Sequence, residues 1–192
     1  MKYDGSLIHN RFAYDLKKDN VNPLGDVHFF TGEMEVEGPG MIDKEDLINS
    51  DFIYSEKAIN IVWEIPNMCP MGAVFFQRYF NTQIANIIYS INQNHVISVK
   101  GDDIMIHDEK FNHGCKSIPD GVGKCSVSIT YTKDNVALGH TGINMIAGDR
   151  APKFAYSLNF SPEEISTFIA RTHNIFYNIL KNCFVATSKI TL

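Results

Sequence analysis

The chain has 192 residues, 44% of them hydrophobic, and a formal net charge of −5. That composition suffices for one sizeable core, and the negative balance excludes bulk attraction to nucleic acid or to an anionic membrane surface. No apolar run approaches the roughly 18 residues of a membrane span, and residues 1–19 hold no apolar signal-peptide core. The four cysteines, Cys69, Cys115, Cys125 and Cys183, lack CxxC spacing. Reduced thiols in a cytoplasmic protein are therefore expected, not a disulfide framework. No repeat or low-complexity linker divides residues 1–192, which read as a single domain.

Taken in chain order, "DVHFFTGEMEVEG" (26–38) reads as a strand running into a loop, and "PGMIDKEDLINS" (39–50) as a short acidic helix or turn. "KAINIVWEI" (57–65) is rich in β-branched and aromatic residues and predicts a strand. Turn chemistry follows at 66–72. From 73 to 91, Phe76, Phe80, Ile84, Ile87 and Ile91 recur at steps of three and four, the stripe of a core-facing helix.

"VISVKGDDIMIHDEK" (96–110) predicts a hairpin, "GKCSVSITYT" (123–132) an alternating strand, and "VALGHTGINMIA" (136–147) a strand interrupted by glycines. "APKFAYSLNF" (151–160) predicts one more strand. Ser161, Pro162 and Glu164 form the start signal of a last helix. Strands and helices are segregated, so the fold class is α+β, a mostly antiparallel sheet flanked by helices.

Three segments between the two long helices carry candidate chemistry: "VKGDDIMI", "GKCSVSI" and "GHTGINM". Their order resembles the catalytic domain of biotin protein ligases and lipoate ligases. Lys100, Asp102 and Asp103 match a Lys-x-x-Asn-Asp-like signature, Lys124 matches the lysine of the second motif, and Gly139, Gly142, Ile143 and Asn144 match the third. The resemblance implies the fold shared with class II aminoacyl-tRNA synthetases. It also implies a central pocket with Asp102, Asp103 and Lys124 as catalytic core and Lys100, Gly139, Gly142 and Asn144 as substrate contacts; Glu64, at a strand end where ligands often meet a sheet, and Gln77 and Arg78, early in the long helix, are further candidate substrate contacts read from their positions. "GEMEVEGPGMIDKEDL", "FFQRYF", "KGDDIMI", "KCSVSI" and "GHTGIN" together are similar to the family catalogued as domain of unknown function 366.

One departure bears on cofactor. The resembled ligases hold an acyl phosphate with an arginine- and glycine-rich loop. The matching stretch here, "HFFTGEMEVEGPGMIDKED", has no arginine and carries Glu33, Glu35, Glu37, Asp43, Glu45 and Asp46. Such a loop repels a triphosphate unless Mg²⁺ intervenes, so ATP with Mg²⁺ is disfavoured. The expected partner is a small carboxylated or heterocyclic molecule, handled by ligase or acyl-transfer chemistry. The alternatives are ATP-independent modification of a bicyclic heterocycle such as a pterin or deazapurine, and a non-catalytic binding module. No metal is expected, because His107, His113, Cys115, Cys125 and His140 follow no standard zinc spacing. Oligomeric state is left open.

Overall fold

The computed structural model describes residues 1–9, 11, 13, 15, 22–49 and 52–190. A short helix α1 (Ser6–His9) precedes strand β1 (Asp26–Val36). A 3₁₀ turn at Gly38–Gly40 and helix α2 (Lys44–Asn49) lead to strand β2 (Ile53–Pro66) and helix α3 (Pro70–Ile91). Strands β3 (Val96–Lys100), β4 (Asp103–His107), β5 (Val122–Lys124), β6 (Ser126–Lys133) and β7 (Val136–Ile146) follow, and helix α4 (Pro162–Thr187) comes last. Two antiparallel sheets result, with strand orders β1-β2-β7-β6 and β3-β4-β5.

The larger sheet separates two apolar clusters. On one face Ile59, Ile61, Trp63 and Ile65 of β2 pack with Phe76, Phe80, Ile84 and Ile88 of α3 and Phe168, Phe176 and Leu180 of α4. The predicted stripe of α3 is that core face, although Ile91 packs only at its margin. Ring contacts lock the helices together: Phe176 stands edge-on to Phe76 at 5.6 Å and to Phe80 at 5.7 Å. Ala58, on the opposite face of β2, joins Tyr3, Met34, Val36 and Met41 in the second cluster. The capping box of α4 forms as its sequence predicts, with Glu164 N donating to Ser161 Oγ and Ser161 N to Glu164 Oε2.

Three expectations change. The alternating run 123–132 is two strands: Cys125 breaks the ladder, so β5 belongs to the small sheet and β6 to the large one. Its amide donates to Ile104 O, its carbonyl accepts from Asn144 N, and its thiol is fully buried, pushed by desolvation up to about 12. Strand β7 runs unbroken through its glycines because large neighbours fill their places. A Cβ on Gly139 would lie 2.1 Å from the Trp63 ring, and one on Gly142 2.6 Å from Met34 Sδ. Residues 151–160 form no strand; a single parallel bridge joins Ala155 to Lys124, while Tyr156, Leu158 and Phe160 are buried at alternate positions.

Gly139→Ala is thus an overpacking change under a fully buried tryptophan. Urea denaturation should show a loss of about 1–3 kcal/mol.

Candidate functional site

Why does a strand-like segment carry Lys100, Asp102 and Asp103 together? Gly101 and Asp102 form a two-residue turn between β3 and β4, with Gly101 at φ +67°. That conformation suits glycine at the first central position of a hairpin. The turn sends its acids in different directions. Asp103, the first residue of β4, shares a strand face with Met105, whose register partner is Lys124. Its Oδ1 lies 2.7 Å from Lys124 Nζ, both side chains being partly exposed.

Asp102 turns under α3. Gln77 Nε2 donates to Asp102 Oδ2 at 3.4 Å and to Ser128 Oγ at 3.0 Å. Ser128 Oγ meets Thr141 Oγ1 at 3.0 Å, Thr141 donates to Asn81 Oδ1 at 3.0 Å, and Asn81 Nδ2 donates to Asp102 O at 2.8 Å. The ring closes on Asp102. Desolvation, then the neighbouring Asp103 charge, push the Asp102 carboxyl above its ordinary value.

Lys124 also lines a cleft of about 570 Å³. Its apolar wall includes Phe52, Tyr54 and Phe154; its polar groups are Lys124, Ser126, Asn144 and Asp46. Ser126 Oγ is occupied, accepting from Ile104 N at 2.8 Å. Asn144 differs: the residue is 3% exposed, and its Oδ1 is buried with no hydrogen-bond partner. A buried acceptor left unmatched is costly, and here it belongs to a residue that lines the cleft.

A narrower cavity of about 50 Å³ adjoins the cleft across Asp46, Ile53 and Val127, which line both. Within its lining the Tyr3 ring stacks on His140, centroids 3.5 Å apart and planes 8° apart. His140 Nε2 donates to Asn60 Oδ1 at 2.9 Å. Burial drives His140 from 6.5 down to about 3, so it is neutral near pH 7.

The structure brings Lys124 and Asn144 to one cleft, with Asp103 ion-paired to Lys124 and Asp102 the residue before it, and disperses the other sequence candidates. Lys100 is exposed at the end of β3. Glu64 is buried on β2 with Arg11 Nη2 3.8 Å away. Gln77 serves the polar ring, Arg78 is exposed beside Gly101, and Gly139 and Gly142 pack against Trp63 and Met34. Strict alternation along 123–132 would put Lys124, Ser126 and Ser128 on one face, and the structure does not keep it. Past the break at Cys125, Ser128 lies beneath α3, and Val127 packs in the cluster of Tyr3 rather than under the helices. His113 Nδ1 accepts from Cys115 N, and no group of three metal-ligating side chains occurs among the described residues.

Sequence reasoning missed Tyr3, Asp46, Phe52, Tyr54 and Phe154. Only Asp46 had a signal, as part of the acidic loop. That loop is partly neutralised: Glu35 binds Lys2 and Arg150, and Glu33 lies 2.9 Å from Lys2. Arg150 also stacks over Tyr54, 4.3 Å from the ring centroid.

The family model described as Domain of unknown function (DUF366) matches residues 1–191. No curated relative matches the chain. Among solved structures, a protein of unknown function from Pyrococcus horikoshi superposes with a TM-score of 0.78 at 21% identity, covering 100% of this chain and 93% of that one. A biotin protein ligase mutant from Aquifex aeolicus in complex with biotin gives 0.52 at 13% identity, covering 94% and 69%. P. falciparum LipL1 in complex with lipoate gives 0.57 at 13% identity, covering 92% and 59%. The fold is therefore the α+β fold of the biotin and lipoate protein ligases. No helix among the described residues is long and apolar enough to cross a membrane.

The histidine supplies a pH test. Its folded value is depressed, so below pH 6.5 the unfolded chain takes a proton that the folded chain refuses until about pH 3. Stability should fall as pH drops through that window, by about 2 kcal/mol at pH 5 from this residue. Denaturation at pH 7 and pH 5 should show a shallower pH dependence in His140→Gln than in the wild type.

Proposed function

The chain belongs to the DUF366 family, and from the geometry of its cleft we propose that it binds a small carboxylated molecule. The anion is held by Lys124, and the flat or apolar remainder lies against Phe52, Tyr54 and Phe154. One observation carries this reading: among the described residues lining the cleft Lys124 is the only cation, and Asp103 fixes its ammonium at 2.7 Å. An ammonium so held can take one carboxylate and orient it. The fold relatives support a small ligand here, since the Aquifex protein was solved with biotin and the Plasmodium protein with lipoate.

The charge balance argues for chemistry without adenylation. Asp46 and Asp103 stand near the one lysine, and Asp43 lines the adjoining cavity. A triphosphate would meet this acidic edge, and the arginine beside it, Arg150 over Tyr54, is already paired with Glu35. Transfer of an acyl group that arrives already activated as a thioester, its thiol leaving and a second carboxylate of the substrate held on Lys124, fits the single cation better than condensation with ATP does. Asp102, next in the chain to the Asp103 that pairs with Lys124, has its carboxyl raised, which suits a group that exchanges a proton. A second reading rests on Asn144. Its unmatched carbonyl suits a ring N–H or an amino group, so a bicyclic heterocycle stacked on the aromatic wall, modified without ATP, is the alternative occupant.

Calorimetry separates these readings. Mg-ATP should bind far more weakly than micromolar; a micromolar constant, about −8 kcal/mol, would restore an adenylating ligase. Lys124→Ala should abolish binding of carboxylated ligands and leave binding of a neutral pterin unchanged. The same variant should change unfolding free energy by no more than about 1 kcal/mol, because the pair it breaks is partly exposed.

A further inference from the structure

The segment of residues 1–5 lies as a strap along the edge strand β1 of the large sheet, bridged in parallel from Tyr3 to Met34. Tyr3 N donates to Glu33 O and Glu35 N to Tyr3 O, both at 2.9 Å, and Lys2 binds Glu33 and Glu35. Glycines provide its seat. A Cβ on Gly32 would lie 1.8 Å from Met1 O, one on Gly40 2.3 Å from Asp4 O, and one on Gly5, at φ +86°, 2.3 Å from Gly40 O. No side chain fits at these contacts, so the strap lies flush and Tyr3 is pressed against His140, 3% and 1% exposed respectively.

That stack lines the narrow cavity, with His140 four residues along β7 from the Asn144 of the cleft, and the cavity continues from the cleft past Val127. Val127 is three residue steps along the chain from the anchor Lys124, roughly 10 Å of nearly extended backbone. Beyond Val127 the cavity is walled mainly by apolar side chains, with Met34, Met41 and Ile53 around the Tyr3 ring. It is too narrow for a ring system and suits the end of an unbranched apolar chain.

Resting on the carboxylate reading above, the geometry points to the N-terminal strap as the length limit of the ligand: Tyr3, backed by His140, stops the distal end of a chain whose carboxylate is held at Lys124. Tyr3 is thus a specificity-determining residue contributed by a segment far from the motifs.

The test is a calorimetric series of straight-chain carboxylates from butanoate to dodecanoate. Affinity in the wild type should tighten about fourfold for each added methylene until the chain reaches Tyr3, and then weaken. Tyr3→Leu should move that turning point to longer acids. Tyr3→Trp, which keeps an aromatic ring on His140 but fills the cavity, should move it to shorter ones. Circular dichroism identifies which variants are folded; a turning point displaced as stated in either folded variant supports the assignment. A turning point unchanged in the folded variants, or wild-type affinity that rises throughout the series, overturns the strap as the limit and leaves the carboxylate site standing. Failure of the wild type to bind any of the acids overturns the carboxylate site and the length limit together.

Discussion

The cleft depends on the closed ring of side chains beneath α3. Gln77, Asn81, Ser128 and Thr141 come from a helix and two strands of the large sheet, and all converge on Asp102 at the tip of the small sheet's hairpin. Each of those polar groups is costly to bury alone and stable once matched. The ring therefore specifies where the hairpin tip must sit relative to α3. Asp103 is the next residue, so the ring also determines where its carboxylate can meet Lys124. The ion pair itself is partly exposed and weak as a source of stability. Its geometry is inherited from the buried amides and hydroxyls beside it.

The parts of the fold governed by local rules were legible in the sequence. The stripe from Phe76 to Ile87 marks a helix because period and burial agree, and Ser161 with Glu164 marks a helix start because a cap is a contact between near neighbours. Residues 151–160 misled for a physical reason. Tyr156, Leu158 and Phe160 alternate as strand residues do, but they plug the core from an irregular backbone, and burial period does not report hydrogen bonding. The glycines of β7 were read as approaches to a ligand. They are approaches to Trp63 and Met34, which a composition of small and large residues cannot distinguish.

The candidate site was legible only where motif and scaffold coincide. Lys124, Asp103 and Asn144 came from the ordered motifs and share one region of the structure. Tyr3 and the aromatic wall had no signature, because their role arises from chain segments that meet only in three dimensions. The acidic stretch after β1 reaches the cleft through Asp46. The scaffold is common to the biotin and lipoate ligases, and fold does not by itself determine reaction.

The break at Cys125 has a mechanical consequence. One residue sends its amide to β4 of the small sheet and its carbonyl to β7 of the large one, while the neighbouring Ser126 hydroxyl receives the amide of Ile104. The two sheets are therefore sewn through this backbone crossing, and residues 154–159, bonded to Lys124 on one side and to Asn144 and Met145 on the other, add a second seam. Parting them breaks bonds on both sides of that crossing at once, so neither can open as a separate unit, and the protein behaves there as one cooperative body. The thiol at the seam, sealed from solvent and held in its neutral form, is no handle for oxidants. The crossing that joins the sheets is thereby protected chemically by the burial that makes it rigid.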